Sequence, residues 1–127
     1  MRDAKPSDLA ALTLLEREAF HDPWSVEQIA GHLAQPGSFT LLETARSGET
    51  AGYAAFQVVI DEAELLRICV LPFQRRQGIA QTLLTEGLSR LAARGVRSVH
   101  LEVRADNEPA IALYRRLGFE LVGERRT

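Results

Sequence analysis

The segment Gln74–Ala80 has the residue types that bind phosphate. It leads from a β-rich run into a long amphipathic segment, so it is expected at the start of a helix, where free N–H groups and a partial positive charge attract anions. Gly78 allows the backbone to approach a phosphate closely, and Arg75 and Arg76 can donate charge-assisted hydrogen bonds to its oxygens. The spacing is neither GxxxxGK[ST] nor GxGxxG. A solvated basic turn that caps a core helix would have the same residues.

The composition is typical of a single globular domain. The 127 residues are 46% hydrophobic and 25% charged, and the net charge of −2 argues against binding of nucleic acid or a membrane surface through overall positive charge. The one cysteine, Cys69, cannot form an internal disulfide, and no Cys/His cluster has zinc spacing. The apolar runs are too short to span a membrane and the N-terminus lacks the apolar stretch of a signal peptide, so we expect a cytoplasmic protein.

Two helices are predicted before the first β-rich run. The first begins near Ser7, where apolar residues recur at helical spacing. Ser25 and Gln28 form a predicted capping box at the start of the second helix, and Trp24 and Ile29 match the hydrophobic staple that accompanies such a box. The second helix is expected to end before the Pro-Gly pair that follows it.

The order of the predicted elements is ααβββαβαβ, which indicates a mixed sheet with helices on both faces, in the α/β or α+β class. The first three strands are close in sequence, so an antiparallel arrangement is the simplest for them. The strands are predicted over Phe39–Glu43, Gly52–Ile60, Glu64–Val70, Val96–Val103 and Phe119–Val122, with the later helices following Gly78 and Asn107.

Two motifs resemble the signatures of the GNAT superfamily of N-acetyltransferases. Arg75–Ala80 matches the acetyl-CoA signature Arg/Gln-x-x-Gly-x-Gly/Ala, and Asn107–Phe119 matches a second signature downstream. The two motifs in this order are much more specific than either alone. Pro23–Ser25, Leu101–Ala105 and the pair Arg125–Arg126 resemble the branch of the family that acetylates the N-terminal alanine of a small-subunit ribosomal protein.

The resemblance implies the GNAT fold, in which the strands Glu64–Val70 and Ser98–Arg104 run parallel and splay apart, often at a β-bulge in the first. The pantetheine arm of acetyl-CoA would lie in the gap and the pyrophosphate on the turn before the long helix. One backbone N–H of the first strand would stabilise the oxyanion. The implied cofactor-binding residues are Ile68, Cys69 and Val70 in the strand, Arg76, Gln77, Gly78, Ile79, Ala80 and Gln81 in the turn, and Asn107, which can also cap its helix.

The resemblance also implies two catalytic residues. Acetyl transfer to an amine requires removal of a proton from the amine and protonation of the leaving thiolate. Glu102 is the implied general base, acting through a water, and Tyr114 is the implied general acid. We expect Glu102 to be partly buried, with a raised pKa, on the strand face opposite Val99 and Leu101. The alternatives are an ion pair of Glu102 with an arginine such as Arg104, and a purely structural aromatic at Tyr114.

Other polar residues are less suited to this chemistry. No histidine partner is evident for Cys69, so a small buried residue is expected there rather than an acetyl-cysteine nucleophile. Glu62 and Glu64 either attract the cationic end of a peptide or form a solvated hairpin end. The three histidines have no metal-ligand spacing, so no metal is expected. These histidines are His21, His32 and His100.

The function implied by the resemblance is transfer of acetyl from acetyl-CoA to the N-terminal alanine of a ribosomal protein, directly within a ternary complex. No nucleic acid or membrane partner is expected. A GNAT enzyme for a small-molecule amine and a non-catalytic acyl-CoA-binding module are the alternatives. We expect one acetyltransferase domain over residues 1–127. The family pattern continues past Arg126 with a tyrosine-containing loop and a last strand, whereas this sequence ends at Thr127. Either the sequence is a truncated form or variant, or the protein lacks part of the acceptor pocket and a strand of the sheet.

Overall fold

The computed structural model describes residues 1–20, 22–71, 78–103 and 106–120. The strands are β1 (Arg2–Asp3), β2 (Ser38–Thr44), β3 (Thr50–Val59), β4 (Glu62–Val70) and β5 (Ser98–Leu101). The helices are α1 (Leu9–Ala19), α2 (Val26–Ala34), α3 (Ile79–Ala93) and α4 (Glu108–Arg116), and a 3-10 turn (Pro6–Asp8) precedes α1. In the described ranges no helix is long and apolar enough to cross a lipid bilayer.

The five strands form one sheet in the order β1-β2-β3-β4-β5. Neighbouring strands are antiparallel from β1 to β4, and β4 and β5 are parallel, so the predicted mixed sheet is confirmed. The crossover between the two parallel strands contains α3, as such a connection requires. β1 was not predicted, because two residues are too few to show a period of two.

The helices cover both faces of the sheet, as predicted. On one face α1 and α2 pack on a buried cluster with β2, β3 and β4, which consists of Leu12, Leu15, Ile29, Leu42, Tyr53, Ala55, Cys69 and Leu71. On the other face α3 and α4 pack on a second cluster, which consists of Phe39, Leu41, Ala54, Phe56, Ala63, Leu65, Leu83, Leu84, Leu91 and Tyr114. Burial of these two apolar faces is the main stabilising contribution to such a fold.

The predicted capping box at the start of α2 is confirmed. Ser25 Oγ accepts a hydrogen bond from the N–H of Gln28 at 3.1 Å, and Gln28 Oε1 accepts one from the N–H of Ser25 at 2.8 Å. Ile29 is buried, and Trp24 packs against the same cluster. Two N–H groups that the helix itself cannot satisfy are therefore bonded, and the direction of the chain entering α2 is fixed.

The chain after α4 differs from the prediction. Phe119 and Glu120 are not in a strand, and the other two predicted strand residues, Leu121 and Val122, lie outside the described residues. Gly118 has φ 97°, and the N–H of Phe119 donates to the carbonyl of Tyr114 at 3.0 Å. This is the glycine-based end of a helix, so Phe119 is bonded to α4 rather than to the sheet.

Candidate active site

The sheet opens on one side of β4. The parallel pairing of β4 with β5 ends where Leu65 lies opposite Leu101. At the same point the register of β4 against β3 shifts, which leaves Leu66 as the extra residue of a β-bulge that bends the strand. In the described ranges β4 continues to Val70 with no strand paired on its β5 side. The parallel pair and the bulge agree with the resemblance. Among the described residues no strand pairs with the second half of β4 on its β5 side, and this unpaired side is called the gap.

The backbone polar groups of β4 alternate between β3 and this gap. The N–H of Leu71 donates to the carbonyl of Ala51 on the β3 side at 2.9 Å. Because an antiparallel ladder repeats every second residue, Cys69 also directs its N–H and C=O at β3. The corresponding groups of Ile68 and Val70 are directed at the gap. This direction of the backbone favours Ile68 for pairing with an acyl-CoA arm, and contact of Ile68, Cys69 and Val70 with the cofactor stays a prediction.

Gly78 and the first turn of α3 have the backbone expected of an anion site. Gly78 precedes the helix with φ 75°, a left-handed conformation that glycine adopts without strain, and a Cβ at this position would meet nothing within 4 Å. Ile79, Ala80 and Gln81 form the first turn, where N–H groups have no acceptor within the helix. Binding of the diphosphate here stays a prediction. The other predicted members of the turn, Arg76 and Gln77, lie outside the described residues.

Helix α4 positions two of the predicted residues. Asn107 caps the helix, since its Oδ1 accepts from the N–H of Ala110 at 3.3 Å, and its contact with the cofactor stays a prediction. Tyr114 is buried in the cluster below α3 and α4, with its ring edge-on to Phe119 at a centroid distance of 5.9 Å. Burial raises the pKa of Tyr114, so its hydroxyl stays protonated at neutral pH. Tyr114 is therefore a core aromatic that also retains a proton to donate.

Glu102 lies one residue past the end of β5 and is exposed, so the expectation of partial burial is wrong. The reason is that α1 and α2 pack over β2, β3 and β4, which leaves the β5 side of that face open. The residues that alternate with Glu102 along the chain pack against the cluster on the α3 and α4 face, and these are Val99, Leu101 and Val103. Glu102 therefore lies on the face opposite these residues, as predicted, and in the structure this is the sheet face that carries α1 and α2. Its suggested partner Arg104 lies outside the described residues.

The carboxylates at the start of β4 are exposed. Glu62 Oε1 lies 3.3 Å from Nε2 of His100 across the parallel pair, and both side chains are more than half exposed. Glu64 is exposed as well. A solvated hairpin end accounts for this arrangement, and attraction of a cationic peptide end stays a prediction.

Cysteine and histidine take part in no group that could hold a metal ion in the described part of the chain. Cys69 is buried, with Sγ 3.8 Å from the carbonyl oxygen of Leu15, which fits the small buried residue that was expected. Nε2 of His32 lies 2.8 Å from Oγ1 of Thr40, and burial lowers the pKa of this imidazole. His21 lies outside the described residues.

One group of functional interest was not predicted. Glu16 in α1 is completely buried and accepts hydrogen bonds from the guanidinium of Arg67 and from the hydroxyl of Tyr53. Burial, with Glu16 as hydrogen-bond acceptor, raises the pKa of Tyr53. A signal was present in the sequence, because Glu16 is a charged residue on the apolar stripe of α1. That stripe is Leu12, Leu15 and Ala19.

The parallel pair with a bulge and the glycine turn into α3 define the class as an N-acetyltransferase fold, and comparison with known proteins agrees. The sequence pattern of the acetyltransferase (GNAT) family matches residues 8–119. The [ribosomal protein bS18]-alanine N-acetyltransferase of Escherichia coli (strain K12) is 40% identical over 120 residues, which cover 94% of this chain and 80% of that protein. The chain belongs to the acetyltransferase (GNAT) family.

Solved structures show the same architecture. The crystal structure of the ribosomal-protein-S18-alanine N-acetyltransferase from Escherichia coli superposes with a TM-score of 0.89 at 39% identity, covering 94% of this chain and 76% of that one. The PaiA N-acetyltransferase from Thermoplasma acidophilum, solved in complex with coenzyme A, has a TM-score of 0.84 at 21% identity, covering 94% of this chain and 87% of that one. At that identity the second structure shows a shared fold.

Proposed function

We propose that this chain transfers the acetyl group of acetyl-CoA to the N-terminal α-amine of an alanine on a ribosomal protein of the bS18 type. The observation that carries the proposal is the 40% identity to the Escherichia coli enzyme over 94% of this chain, together with the gap beside β4. A ribosomal acceptor would place the enzyme in the cytoplasm with the ribosome.

The residues along the gap fit an acyl-CoA. Ile68 directs its backbone N–H and C=O at the gap, so an extended amide-containing arm can pair with it as an added strand would. The left-handed turn at Gly78 leads to the N-terminus of a helix of 15 residues, which attracts a diphosphate. When bound, acetyl-CoA supplies an acetyl group activated as a thioester. The N–H of Ile68 is then a donor that can stabilise negative charge on the thioester oxygen.

Glu102 takes the proton from the acceptor amine in this proposal. Its carboxylate is exposed on the sheet face that carries α1 and α2, and it follows directly on the last β5 residue paired with β4. An amine entering from this face reaches the gap beside Glu102. An exposed carboxylate can accept the proton through one intervening water, and the neutral amine then has a lone pair for attack.

Tyr114 supplies a proton on the other face of the sheet. Its side chain lies in the cluster beneath α3 and α4, and its raised pKa keeps the hydroxyl protonated. The hydroxyl donates its proton as the thiolate leaves. The base and the acid therefore flank the gap from opposite faces, and this separation suits an amine and a thiol on opposite sides of the transferred acetyl group.

Direct transfer is favoured over an acetyl-cysteine step. Cys69 is buried beneath α1, its Sγ is in contact with the carbonyl oxygen of Leu15, and its backbone groups are directed at β3. The burial of the thiol in the core beneath α1, rather than the sheet face on which it lies, therefore argues against its attack on a thioester.

Mass spectrometry of peptides tests the proposal. A peptide with the N-terminal sequence of bS18 and an alanine first residue, incubated with this chain and acetyl-CoA, should gain one acetyl group on its α-amine. The matched peptide with a bulky first residue, and the alanine peptide with a blocked α-amine, should gain none. Acetylation of small amines without the peptide would instead support a small-molecule enzyme. Binding of acetyl-CoA without transfer to any amine would support a non-catalytic module.

A further inference from the structure

A buried ion pair joins α1 to β4. Glu16 is 0% exposed, and both of its carboxylate oxygens accept hydrogen bonds from Arg67, from Nε at 3.0 and 3.2 Å and from Nη2 at 2.8 Å. The hydroxyl of Tyr53 donates to the same carboxylate. A carboxylate removed from water needs such partners, and the fork of a guanidinium matches it with two bonds.

Further contacts of this pair, among the described residues, go to the loop between α1 and α2. Nη2 of Arg67 donates to the carbonyl of Asp22 at 3.0 Å, and Glu16 Oε1 accepts from the backbone N–H of Trp24 at 2.9 Å. The guanidinium carbon of Arg67 lies 4.1 Å from the ring centroid of Phe20 and 5.4 Å from that of Trp24. The backbone and the two aromatic rings of the loop are thus fixed by one arginine.

This loop covers the sheet where the gap opens. Arg67 directly follows the bulged Leu66, and the last pair between β4 and β5 is one residue before the bulge. The next residue along β4 is Ile68, whose backbone is directed at the gap. Glu102 belongs to the same face of the sheet as the loop. A peptide that reaches the gap from this face passes between the loop and the end of β5.

Resting on the proposed function, we infer that Arg67 is a positioning residue for the acceptor peptide: it fixes Phe20 and Trp24 as one wall of the acceptor site. A buried ion pair is not needed for stability as such, since well-packed apolar residues of similar size are often equally stable. Here the guanidinium extends past Glu16 and makes its other contacts with the loop. Arg67 therefore sets peptide affinity, while the chemical step depends on Glu102 and Tyr114.

The test removes the whole polar group at once. A triple variant with Glu16→Met, Tyr53→Phe and Arg67→Met leaves no buried charge or hydroxyl without a partner, so it is expected to fold with unchanged far-UV circular dichroism. The KM for the alanine peptide should rise about tenfold or more, which corresponds to about 1.4 kcal/mol. The kcat at saturating peptide and the KM for acetyl-CoA should stay close to the wild-type values.

Trp24 provides a readout that does not depend on turnover. It is the one tryptophan of the chain, so its fluorescence reports the loop alone. Release of the loop in the triple variant should shift its emission to the red and increase its quenching by acrylamide. The single variant Arg67→Lys keeps the charge but loses the two-bond fork and the flat stacking surface of the guanidinium. It should show smaller changes in peptide KM and Trp24 emission. It replaces the triple variant in this test if the triple variant fails to fold.

The matched control is an exposed arginine–carboxylate pair on α3, where Arg90 Nε lies 2.8 Å from Glu86 Oε2. Replacement of this pair by Glu86→Gln with Arg90→Met should leave peptide KM and Trp24 emission unchanged. An unchanged peptide KM in a folded triple variant, or an equal loss in kcat and both KM values, would overturn the inference. If the wild type acetylates no peptide, the proposed function itself fails and the inference falls with it, and this is seen before any variant is made.

Discussion

Removal of the Tyr114 hydroxyl distinguishes a role of this residue in proton transfer from its role in core packing. Tyr114→Phe keeps the ring that contacts Phe119 and the α3 side of the core, so folding should be unaffected. If the hydroxyl protonates the leaving thiolate, kcat should fall about 100-fold or more, with little change in the KM for acetyl-CoA. Steady-state kinetics at saturating peptide measure this. A variant with near wild-type kcat would leave Tyr114 as a core aromatic only.

The pH profile gives a second check on Tyr114. Burial raises its pKa above the ordinary value of about 10. A raised pKa means that the protonated form persists to higher pH, so wild-type kcat should show no loss from this group anywhere below about pH 10. An alkaline loss of kcat near neutrality that disappears in Tyr114→Phe would contradict this assignment.

If Glu102 is the general base, the effect of its removal should depend on the ionisation of the acceptor α-amine. Glu102→Gln cannot accept a proton, so kcat/KM for the peptide at pH 7 should fall about 100-fold. The α-amine of a peptide has an ordinary pKa of about 7.7–8, so a growing fraction of it is neutral without a base as the pH rises. The variant should therefore recover part of its activity between about pH 7 and pH 9, because the substrate itself supplies the neutral amine.

The control for Glu102 is a carboxylate elsewhere on the sheet. Glu43→Gln in β2 changes charge equally and lies across the sheet from β5. It should leave both the rate and its pH dependence unchanged. Equal effects of the two variants would mean that overall charge, rather than a base beside the gap, controls the reaction.

At the scale of the elements, α3 and β3 pack so closely that one methyl group added at Gly87 is expected to destabilise their contact. A Cβ on Gly87 would lie 2.7 Å from two ring atoms of the buried Phe56. Gly87→Ala should therefore destabilise the protein, since the overpacking cost of about 1–3 kcal/mol exceeds the gain in helix propensity of about 1 kcal/mol. Gly31 in α2 is the matched control, because a Cβ there meets nothing within 4 Å.

The two glycine variants should move stability in opposite directions. Gly31→Ala gains helix propensity without a clash and should raise the free energy of unfolding by about 0.5–1 kcal/mol. Urea titrations followed by circular dichroism measure both values. A stabilising Gly87→Ala would show that α3 can move away from Phe56, and that the position of the gap does not depend on this contact.

At the scale of the whole molecule, features encoded by neighbouring residues were predicted and features that depend on distant pairing were not. The capping box at Ser25 and the starts of α3 and α4 follow from local hydrogen bonding and periodicity, and the parallel pair followed from the resemblance. The buried pair Glu16–Arg67 joins residues 51 apart, so the pattern of α1 indicates a buried charge at Glu16 but does not indicate its partner. The exposure of Glu102 depends on which strands α1 and α2 cover, and the alternation of one strand specifies only the face to which the residue belongs.

Ligand binding should stabilise the whole fold, because the expected site joins β4, α3 and α4. Coenzyme A at about 100 times its Kd should raise the free energy of unfolding by about 2.7 kcal/mol, which thermal unfolding detects as a higher Tm. Gly78→Ala should reduce this effect, since an alanine at φ 75° is strained and its methyl group would occupy the space that a phosphate approaches. Tyr114→Phe should keep the full effect, because its hydroxyl is assigned to the reaction and not to binding.

Pantetheine lacks the diphosphate. Its affinity for Gly78→Ala therefore distinguishes a lost contact with the diphosphate from a strained backbone that disturbs the whole site. If the turn binds the diphosphate, Gly78→Ala weakens coenzyme A and leaves the affinity for pantetheine unchanged. The new methyl group is not expected to clash with the protein itself, because a Cβ on Gly78 meets no atom of the chain within 4 Å. An equal loss of affinity for both compounds would mean that the substitution disturbs the gap itself, and the diphosphate would then have to lie somewhere other than the start of α3.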